Sequence, residues 1–214
     1  MATIVIPACN EAAKISKTLK HTPKKYNVIV VDDGSSDSTA KIVSGLGFEC
    51  IQLKKNMGKG YACRIGAEHA DSEIVFMDAD AQFSANDIPK FIKTLKHYDI
   101  VLGERIAGIP LQRRAANRLA AWLVSRITKR KFRDVLCGFR AIKKSRFFEL
   151  ELKRNGYEFE SEMLIKAVRK GMNIGTVPVT VHYDRIKGMT VGKSIWLGIY
   201  LVKEALKPFK ISRQ

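Results

Sequence analysis

The first hundred residues alternate short β-branched segments with segments of helical periodicity, and this alternation constrains the fold more than any other feature. Strands are predicted at Ala2–Pro7, Tyr26–Val31, Phe48–Leu53, Glu73–Met77 and Asp99–Gly103. Helices are predicted at Asn10–Lys20, Ser36–Ser44, Lys59–Ala70 and Asn86–His97. Such alternation is typical of an α/β fold, in which right-handed crossovers join the strands of a mostly parallel sheet flanked by helices.

After residue 103 the rhythm changes to longer and less regular elements. Helices are predicted at Leu111–Thr128 and Glu160–Lys170, strands near Gly138–Ile142 and Ile174–Val181, and an amphipathic helical segment at Gly192–Ile211. Because no linker or repeat interrupts the chain, we expect one domain over residues 1–214. It divides into a first half (1–103), a second half (104–193) and a C-terminal amphipathic helix (194–214).

Two of the predicted strands end in closely spaced carboxylates. Val28–Val31 is followed by Asp32 and Asp33, and the strand that contains Val75 and Phe76 is followed by Asp78 and Asp80. Acidic residues at one strand end often do no more than shape a solvated turn. Two strands that end in this way favour a different interpretation, because parallel strands bring their carboxyl ends to one edge of a sheet, where ligands bind. Such oxygens suit Mg²⁺ or Mn²⁺ beside a nucleotide's phosphates.

Two further turns are candidate parts of the same site. The first strand ends at Pro7 and runs through Asn10 and Glu11, where the backbone could hold a base. The segment Asn56–Gly60 is a glycine-rich turn into a helix, a common neighbour of anions. Taken separately, each is also explained as an ordinary turn.

The positive charge is concentrated in one part of the chain. The formal net charge is +17, and residues 105–154 carry fifteen Lys or Arg against three acidic residues, a net +12. A region of this density can bind nucleic acid, anionic lipid or a phosphorylated substrate, or it can be a basic surface without one partner. No recognition motif with interleaved aromatic residues accompanies the charge, so nucleic acid is not the expected partner.

Cysteine spacing and hydropathy bear on the compartment. The four cysteines lie far apart, which argues against a zinc site or a disulfide framework and for a reducing, cytoplasmic environment. The N-terminus shows no signal peptide pattern. The apolar run Ile195–Val202 is much shorter than the roughly 20 residues that span a bilayer.

Taken together, the motifs are specific. Four of them resemble, in order and spacing, the family 2 glycosyltransferases with the GT-A fold: Ile-Pro-Ala-Cys-Asn-Glu, Val-Val-Asp-Asp-Gly-Ser-Ser-Asp-Ser-Thr, Asn-Met-Gly-Lys-Gly and Met-Asp-Ala-Asp-Ala-Gln. The second half is similar to the dolichyl- and polyprenyl-phosphate mannose synthases and glucosyltransferases, through Gly103-Glu-Arg105, Arg114-Ala-Ala-Asn117, Asp134–Arg140, Gly156–Glu162 and Asp184–Gly188. Many relatives carry added transmembrane helices, and many have Tyr at the position of Cys9.

The resemblance implies that residues 1–103 form a nucleotide-binding half and residues 104–193 an acceptor-binding half. It also implies roles for individual residues. The Mg²⁺ or Mn²⁺ ligands would be Asp78, Asp80 and Gln82. The nucleotide-sugar donor would be bound by Pro7, Asn10, Glu11, Asp32, Asp33, Gly60, Asp78, Asp80, Arg185 and Lys193. Arg105 and Arg114 would bind the acceptor phosphate, and the catalytic set would be Asp80, Arg105, Arg114 and Arg185.

The implied activity is inverting transfer of mannose or glucose from a GDP- or UDP-sugar to a polyprenyl phosphate. An acceptor phosphate is already anionic and needs no strong base, whereas a sugar hydroxyl would need Glu160, Glu162 or Asp134 as one. The alternatives are therefore a family 2 enzyme that acts on a hydroxyl and, in another class, a basic nucleic-acid-binding protein.

The C-terminal segment leaves two interpretations open. Trp196 and Tyr200 lie among aliphatic residues with Lys203 and Lys207 nearby, which suits docking on an anionic membrane surface. A terminal helix packed on the sheet would have a similar pattern. With either interpretation, we expect a protein that is peripheral at the membrane.

Overall fold

The computed structural model describes residues 1–107, 111–182 and 191–207, without the side chains of residues 111–113 and 191–195. The strands are β1 (Ala2–Ala8), β2 (Asn27–Asp32), β3 (Glu49–Gln52), β4 (Glu73–Phe76), β5 (Ile100–Ala107), β6 (Arg140–Lys143) and β7 (Ile174–Thr180). The helices are α1 (Ile15–Lys20), α2 (Thr39–Gly45), α3 (Lys59–His69), α4 (Ile88–Leu95), α5 (Leu111–Thr128), α6 (Lys144–Glu149), α7 (Phe159–Arg169) and α8 (Val191–Ala205).

The seven strands form one mostly parallel sheet, which confirms the predicted fold class. Their order is β3-β2-β1-β4-β6-β5-β7, and β6 is antiparallel to both of its neighbours. The strand order changes direction at β1 and β4, which are paired in parallel. In open α/β sheets, such a point leaves a crevice beyond the carboxyl ends of the strands. Both strands deliver candidate site residues there.

Buried apolar side chains cover both faces of the sheet. One cluster contains Val5, Phe76 and Ile142 together with residues of α3, α5 and α7. The other contains Ile6, Val75 and Val101 with residues of α1 and α4. Strands buried on both faces are nearly continuously apolar, as the sequences of β1 and β2 are.

Two predicted helix starts were wrong, for one shared reason. Helix α1 begins at Ile15 rather than Asn10, and α2 at Thr39 rather than Ser36. The residues before each helix are instead bonded to the other loop. The Asn10 Oδ1 atom accepts from the Ser36 amide at 2.8 Å, and an Asp37 carboxylate oxygen accepts from the Ala12 amide at 3.1 Å. Side chains that bond to neighbouring backbone compete with helix formation.

Helix α8 supports parts of both interpretations of the C-terminal segment. Leu197, Tyr200 and Leu201 are buried against the rest of the protein. Trp196 is 65% exposed, and Ile199 and Val202 of the helix and Leu206 just after it are also exposed. The membrane interpretation was wrong in assigning Tyr200 to the surface, because the Tyr200 ring packs inward under the Arg154 guanidinium.

Candidate active site

The site is built around the loop that follows β4. This loop carries Asp78 and Asp80, both partly exposed, and the buried Gln82. The Gln82 amide nitrogen donates to Asp78 Oδ2 at 3.1 Å, and its backbone N–H donates to Asp80 Oδ1 at 3.2 Å. The three predicted metal ligands thus lie within one hydrogen-bonded turn.

Neighbouring segments fit closely around this loop. A Cβ atom at Gly138 would collide with the Asp78 carboxylate, so only glycine allows this approach. From the other side, Thr18 of α1 donates its hydroxyl to the Ala79 carbonyl at 2.9 Å. Ala81 adopts a left-handed backbone conformation with φ of 58°, which places Asp80 and Gln82 on one tight turn. Several elements therefore hold the ligand loop in its conformation.

The Asp80 carboxyl lies in an environment that disfavours an unneutralised negative charge. Burial, followed by the Asp78 carboxylate, raises the pKa of Asp80 to about 7, and Glu11 adds to the effect. A proton or a cation relieves this repulsion. No group of three or more His, Cys, Asp or Glu side chains in the described residues is placed to hold a metal. Two carboxylates and one amide do fit Mg²⁺ or Mn²⁺, which commonly takes its other ligands from phosphates and water.

Lys59, to which the sequence assigned no role, joins Asp78 to the second half of the chain. Its Nζ atom lies 2.6 Å from Asp78 Oδ1 and 2.5 Å from Glu160 Oε1. Burial alone would lower the pKa of Lys59, but the two carboxylates hold it well above its usual value. Lys59 is therefore a fixed positive charge directly beside the predicted metal ligands.

The turn before α3 is held from two sides. Asp33, buried at the end of β2, accepts from the Met57 and Gly58 amides at 2.7 and 2.8 Å. Gly60 donates its amide to the Asn155 carbonyl at 2.6 Å, and a Cβ atom there would collide with the Arg154 carbonyl. Gly60, predicted to bind the donor, thus packs against the second half and donates its amide inside the protein.

The other predicted donor residues line the ends of β1 and β2. Pro7 is buried in β1 and paired with Val31, and Asp32 accepts from the backbone and hydroxyl of Ser35. Asn10, with φ of 57°, bridges the loops after the two strands, and the Glu11 amide donates to Thr39 Oγ1 at 2.9 Å. The structure therefore collects these residues at the sheet edge that also carries Asp78 and Asp80.

The predicted acceptor residues occupy different environments. Arg105, at the end of β5, donates to both carboxylate oxygens of Asp134, at 2.5 and 2.8 Å, and to Asn117 Oδ1 at 3.2 Å. Two parallel donors to one carboxylate fix the orientation of the guanidinium. Arg114 is exposed in the first part of α5, one turn before Asn117. These contacts link Arg105, α5 and the segment at Asp134.

Part of the charge of the basic region is directed inward. Arg140 is 1% exposed, and its guanidinium donates to the carbonyl groups of Cys137, Val135 and Glu160. Its burial lowers the pKa of Arg140 from the ordinary arginine value. The surface of residues 105–154 is therefore less basic than the sequence count suggests.

All three acidic residues considered as bases have internal partners. Asp134 is bound by Arg105, and Glu162 accepts from the Lys153 and Arg154 amides and pairs with Lys166. Glu160 is paired with Lys59 through one oxygen, while its buried Oε2 atom has no hydrogen-bond partner among the described residues.

Two predicted residues lie at or beyond the edge of what the structure describes. Arg185 is outside the described residues, and Lys193 belongs to α8, but its side chain is not described. The chain before Arg185 is placed beside the site. Phe83 and Val181 form an isolated β-bridge, and His182 donates its amide to the Gln82 carbonyl at 3.0 Å.

The chain belongs to glycosyl transferase family 2, whose sequence profile matches residues 3–148. It is therefore a glycosyltransferase of a family that uses nucleotide sugars as donors. Among its relatives is the uncharacterized protein MJ0544 of Methanocaldococcus jannaschii, which is 36% identical over 93% of this chain and 96% of that protein. The glycosyltransferase AglJ of Haloferax volcanii is 31% identical over 86% of this chain and 64% of that protein.

Solved structures with the same fold include glucosyl-3-phosphoglycerate synthase from Mycobacterium tuberculosis. Its complex with Mn²⁺, UDP and glucosyl-3-phosphoglycerate superposes with a TM-score of 0.78, at 20% identity, over 97% of this chain and 81% of that chain. A further complex of that enzyme contains Mg²⁺ and UDP. This likeness supports the shared architecture of the sheet and its flanking helices.

Proposed function

We propose that this glycosyltransferase transfers a hexose, mannose or glucose, from a GDP- or UDP-sugar to a polyprenyl phosphate, with inversion at the sugar and with Mg²⁺ or Mn²⁺ as cofactor. The observation that carries the acceptor class is the engagement of the three candidate bases. Asp134 and Glu162 are saturated by internal contacts, and Glu160 is buried beside Lys59. An acceptor that brings its own negative charge needs no base.

The two halves of the chain would bind different substrates. Residues 1–103 would bind the donor, with the nucleoside near Pro7, Glu11 and Asp33 and the diphosphate near Asp78 and Asp80. A divalent cation held by Asp78, Asp80 and Gln82 would neutralise charge on the diphosphate. The fold of the known UDP complexes with Mn²⁺ and Mg²⁺ is compatible with this arrangement.

The acceptor would be oriented by residues 104–193. Arg105 is held in one direction by Asp134 and Asn117, so it would grip a phosphate with little loss of side-chain freedom. Arg114 lies exposed at the start of α5 and would supply a second guanidinium. Arg185 and Lys193 would approach the donor diphosphate, where negative charge develops as the sugar leaves.

A lipid acceptor also requires a membrane surface, and two helices offer one. Helix α5 contains no acidic residue and exposes Leu119 and Trp122, while α8 exposes Trp196, Ile199 and Val202, and Leu206 is exposed just after it. The two helices pack against each other. Exposed Trp with nearby Lys and Arg suits the interface of an anionic bilayer. No helix within the described residues is long and apolar enough to cross a membrane, and we propose peripheral attachment on the cytoplasmic side.

The decisive experiment is transfer of labelled sugar into an organic phase. The purified protein is incubated with a polyprenyl phosphate, Mn²⁺ or Mg²⁺, and a panel of GDP- and UDP-sugars. We expect lipid-phase label from one donor, and a loss of at least about 100-fold in Asp80→Ala, because removal of a metal ligand sacrifices several kcal/mol of charge stabilisation. The matched control is Asp87→Asn, which alters a carboxylate paired with Lys90 away from the site.

The same experiment tests a second class of acceptor, one that reacts through a hydroxyl group. Structures of the fold neighbour contain phosphoglyceric acid as well as UDP-glucose. Phosphoglyceric acid and a simple sugar are therefore added as hydroxyl acceptors in parallel reactions. Label that remains in the aqueous product, with none in lipid, would overturn the polyprenyl phosphate proposal and redirect attention to Glu160 as the base.

A further inference from the structure

Lys59 occupies a junction between three segments that are distant in sequence. It is the first residue of α3, Asp78 lies in the loop after β4, and Glu160 lies in the first turn of α7. The side chains of Lys59, Asp78 and Glu160 are 18%, 20% and 5% exposed, so the ion pairs are largely shielded from water. In such surroundings a charge contact strongly restrains the groups that make it.

The backbone around Lys59 leaves little freedom for this side chain. Gly58, with φ of 99°, and Gly60 both face the 154–155 segment, where any Cβ atom would collide with a carbonyl oxygen. Arg64, one turn further along α3, donates to the Arg154 carbonyl at 2.8 Å. Helix α3 is therefore clamped to the segment that precedes α7, and the Lys59 ammonium is delivered to one place.

Both oxygens of Asp78 have assigned partners. The Lys59 ammonium contacts Oδ1, and the Gln82 amide contacts Oδ2, while Gly138 closes one side of the carboxylate. Lys59 thus fixes the rotation of the Asp78 carboxylate in the loop that carries the predicted metal ligands. Groups that orient a metal ligand commonly change metal affinity or activity about 10- to 100-fold when they are removed.

Resting on the proposed function, we propose that Lys59 is a positioning residue that holds Asp78 in its cation-binding orientation and anchors it to α7 through Glu160. Lys59 does not contact the reacting atoms in this account. It connects the donor half to the acceptor half, so the cation and the acceptor-binding elements keep a fixed distance and orientation. The sequence contains this residue in the Asn-Met-Gly-Lys-Gly motif without indicating its partners.

The test separates orientation from charge. Lys59→Met alone leaves Glu160 buried without its cation, a change that commonly destabilises a protein. The double variant Lys59→Met/Glu160→Gln removes one positive and one negative charge, so the net charge around Asp78 and Asp80 stays that of the wild type. If Lys59 acted only through its charge, the double variant would bind Mn²⁺ as tightly as the wild type or more tightly, because the ammonium that contacts Asp78 repels a cation.

The measurement is Mn²⁺ binding, followed by the electron paramagnetic resonance signal of free Mn²⁺ in the presence of saturating UDP or GDP. We expect the double variant to melt within a few degrees of the wild type but to bind Mn²⁺ about tenfold more weakly. Sugar transfer should fall by a similar factor. The matched control is Lys90→Met, which removes an exposed lysine that pairs with the largely buried Asp87 and should leave Mn²⁺ binding unchanged.

The outcomes distinguish this inference from the proposed function. Wild-type Mn²⁺ affinity in a double variant that remains folded would overturn the positioning role of Lys59, whatever the acceptor proves to be. Tight Mn²⁺ binding by the wild type without transfer to a polyprenyl phosphate would overturn only the proposed acceptor. A wild-type protein that binds no Mn²⁺ with either nucleotide would overturn the metal site and the role of Lys59 together.

Discussion

The loop after β4 and the basic half after residue 103 differ in how they place their charged side chains. At the sheet edge, Asp78 and Asp80 come directly from the end of one strand and remain partly open to solvent. In the basic half, Arg105 is bound to Asp134, which lies 29 residues further along the chain, and Arg140 is buried among carbonyl groups. The loop after β4 therefore leaves two carboxylates partly open to a ligand, whereas the basic half engages two of its arginines inside the protein.

The largest stability effect predicted from this comparison is at Asp134. Asp134→Asn would remove the carboxylate charge that pairs with the Arg105 guanidinium, in a site where the arginine side chain is only 11% exposed. Breaking a buried pair from one side costs about 3 kcal/mol, so the free energy of unfolding should fall by that amount. Urea denaturation followed by circular dichroism measures it.

The matched control for Asp134 is a pair at the surface of the same half. Glu104 pairs with Arg133, whose side chain is 89% exposed, at 3.5 Å. Glu104→Gln should change the free energy of unfolding by less than about 1 kcal/mol, as exposed pairs contribute little. If Asp134→Asn proved equally harmless, the contrast between inward and outward charges would be wrong.

The exposed face of α8 gives the next effect. Trp196→Ser removes a side chain that is 65% exposed and that we place in the membrane interface. Burying a large apolar side chain contributes about 2 kcal/mol, so liposome affinity should fall by tenfold or more. Sedimentation with vesicles of anionic phospholipid at low salt measures the bound fraction.

An exposed aromatic residue away from α5 and α8 controls for general hydrophobicity. Phe148, in α6, is 45% exposed, and Phe148→Ser should leave vesicle binding unchanged. Failure of the wild type to sediment with these vesicles would refute the docking surface. Equal losses in the two variants would show that the helices have no special role.

The raised pKa of Asp80 predicts how pH acts on the sheet edge. The pKa of Asp80 is about 7 in the folded protein, above its ordinary value of 3.8. The folded state therefore binds the proton more tightly than the unfolded state, and the stability that this provides at low pH is lost as pH rises from about 4 to 7. A divalent cation needs the deprotonated carboxylate. Below pH 7, Mn²⁺ affinity should therefore fall by up to about tenfold per pH unit, and binding should release a proton.

Thermal melting with and without Mn²⁺ at pH 5.5 and pH 8 tests this prediction. The stabilisation by Mn²⁺ should be larger at pH 8, and Asp80→Asn should lose that dependence, since an amide does not titrate. The same Mn²⁺ effect at both pH values would mean that repulsion from Asp78 and Glu11 does not govern the site.

The sequence predicts the sheet edge well because its information is local. The strands, the sheet class and the positions of Asp78 and Asp80 follow from alternating segments and from what ends each strand. The starts of α1 and α2 were wrong because Asn10 and Asp37 bond across to the other loop rather than along their own helix. The periodicity of the two segments does not indicate these hydrogen bonds between the loops.

The contacts of the basic half could not be predicted in the same way. A count of lysines and arginines indicates a strongly basic surface, but it does not show that Arg140 donates to three carbonyl groups inside the protein. The Lys59 junction depends on Glu160, about a hundred residues away along the chain. Glycines at positions 58 and 60 are the available signal, since they mark a place where another segment approaches closely.

The smallest effect we predict concerns the backbone of the loop that carries Asp78, Asp80 and Gln82. Ala81 has φ of 58°, a conformation that disfavours any residue with a Cβ atom. Ala81→Gly should relieve this strain, and part of the gain is offset by the greater freedom of glycine in the unfolded chain. We therefore expect a stabilisation of about 0.5 kcal/mol, measured by urea denaturation, with Mn²⁺ affinity within about twofold of the wild type. A variant that bound Mn²⁺ much more weakly would show that the Cβ atom of Ala81 helps to fix Asp80, and that local strain is part of how the sheet edge presents its carboxylates.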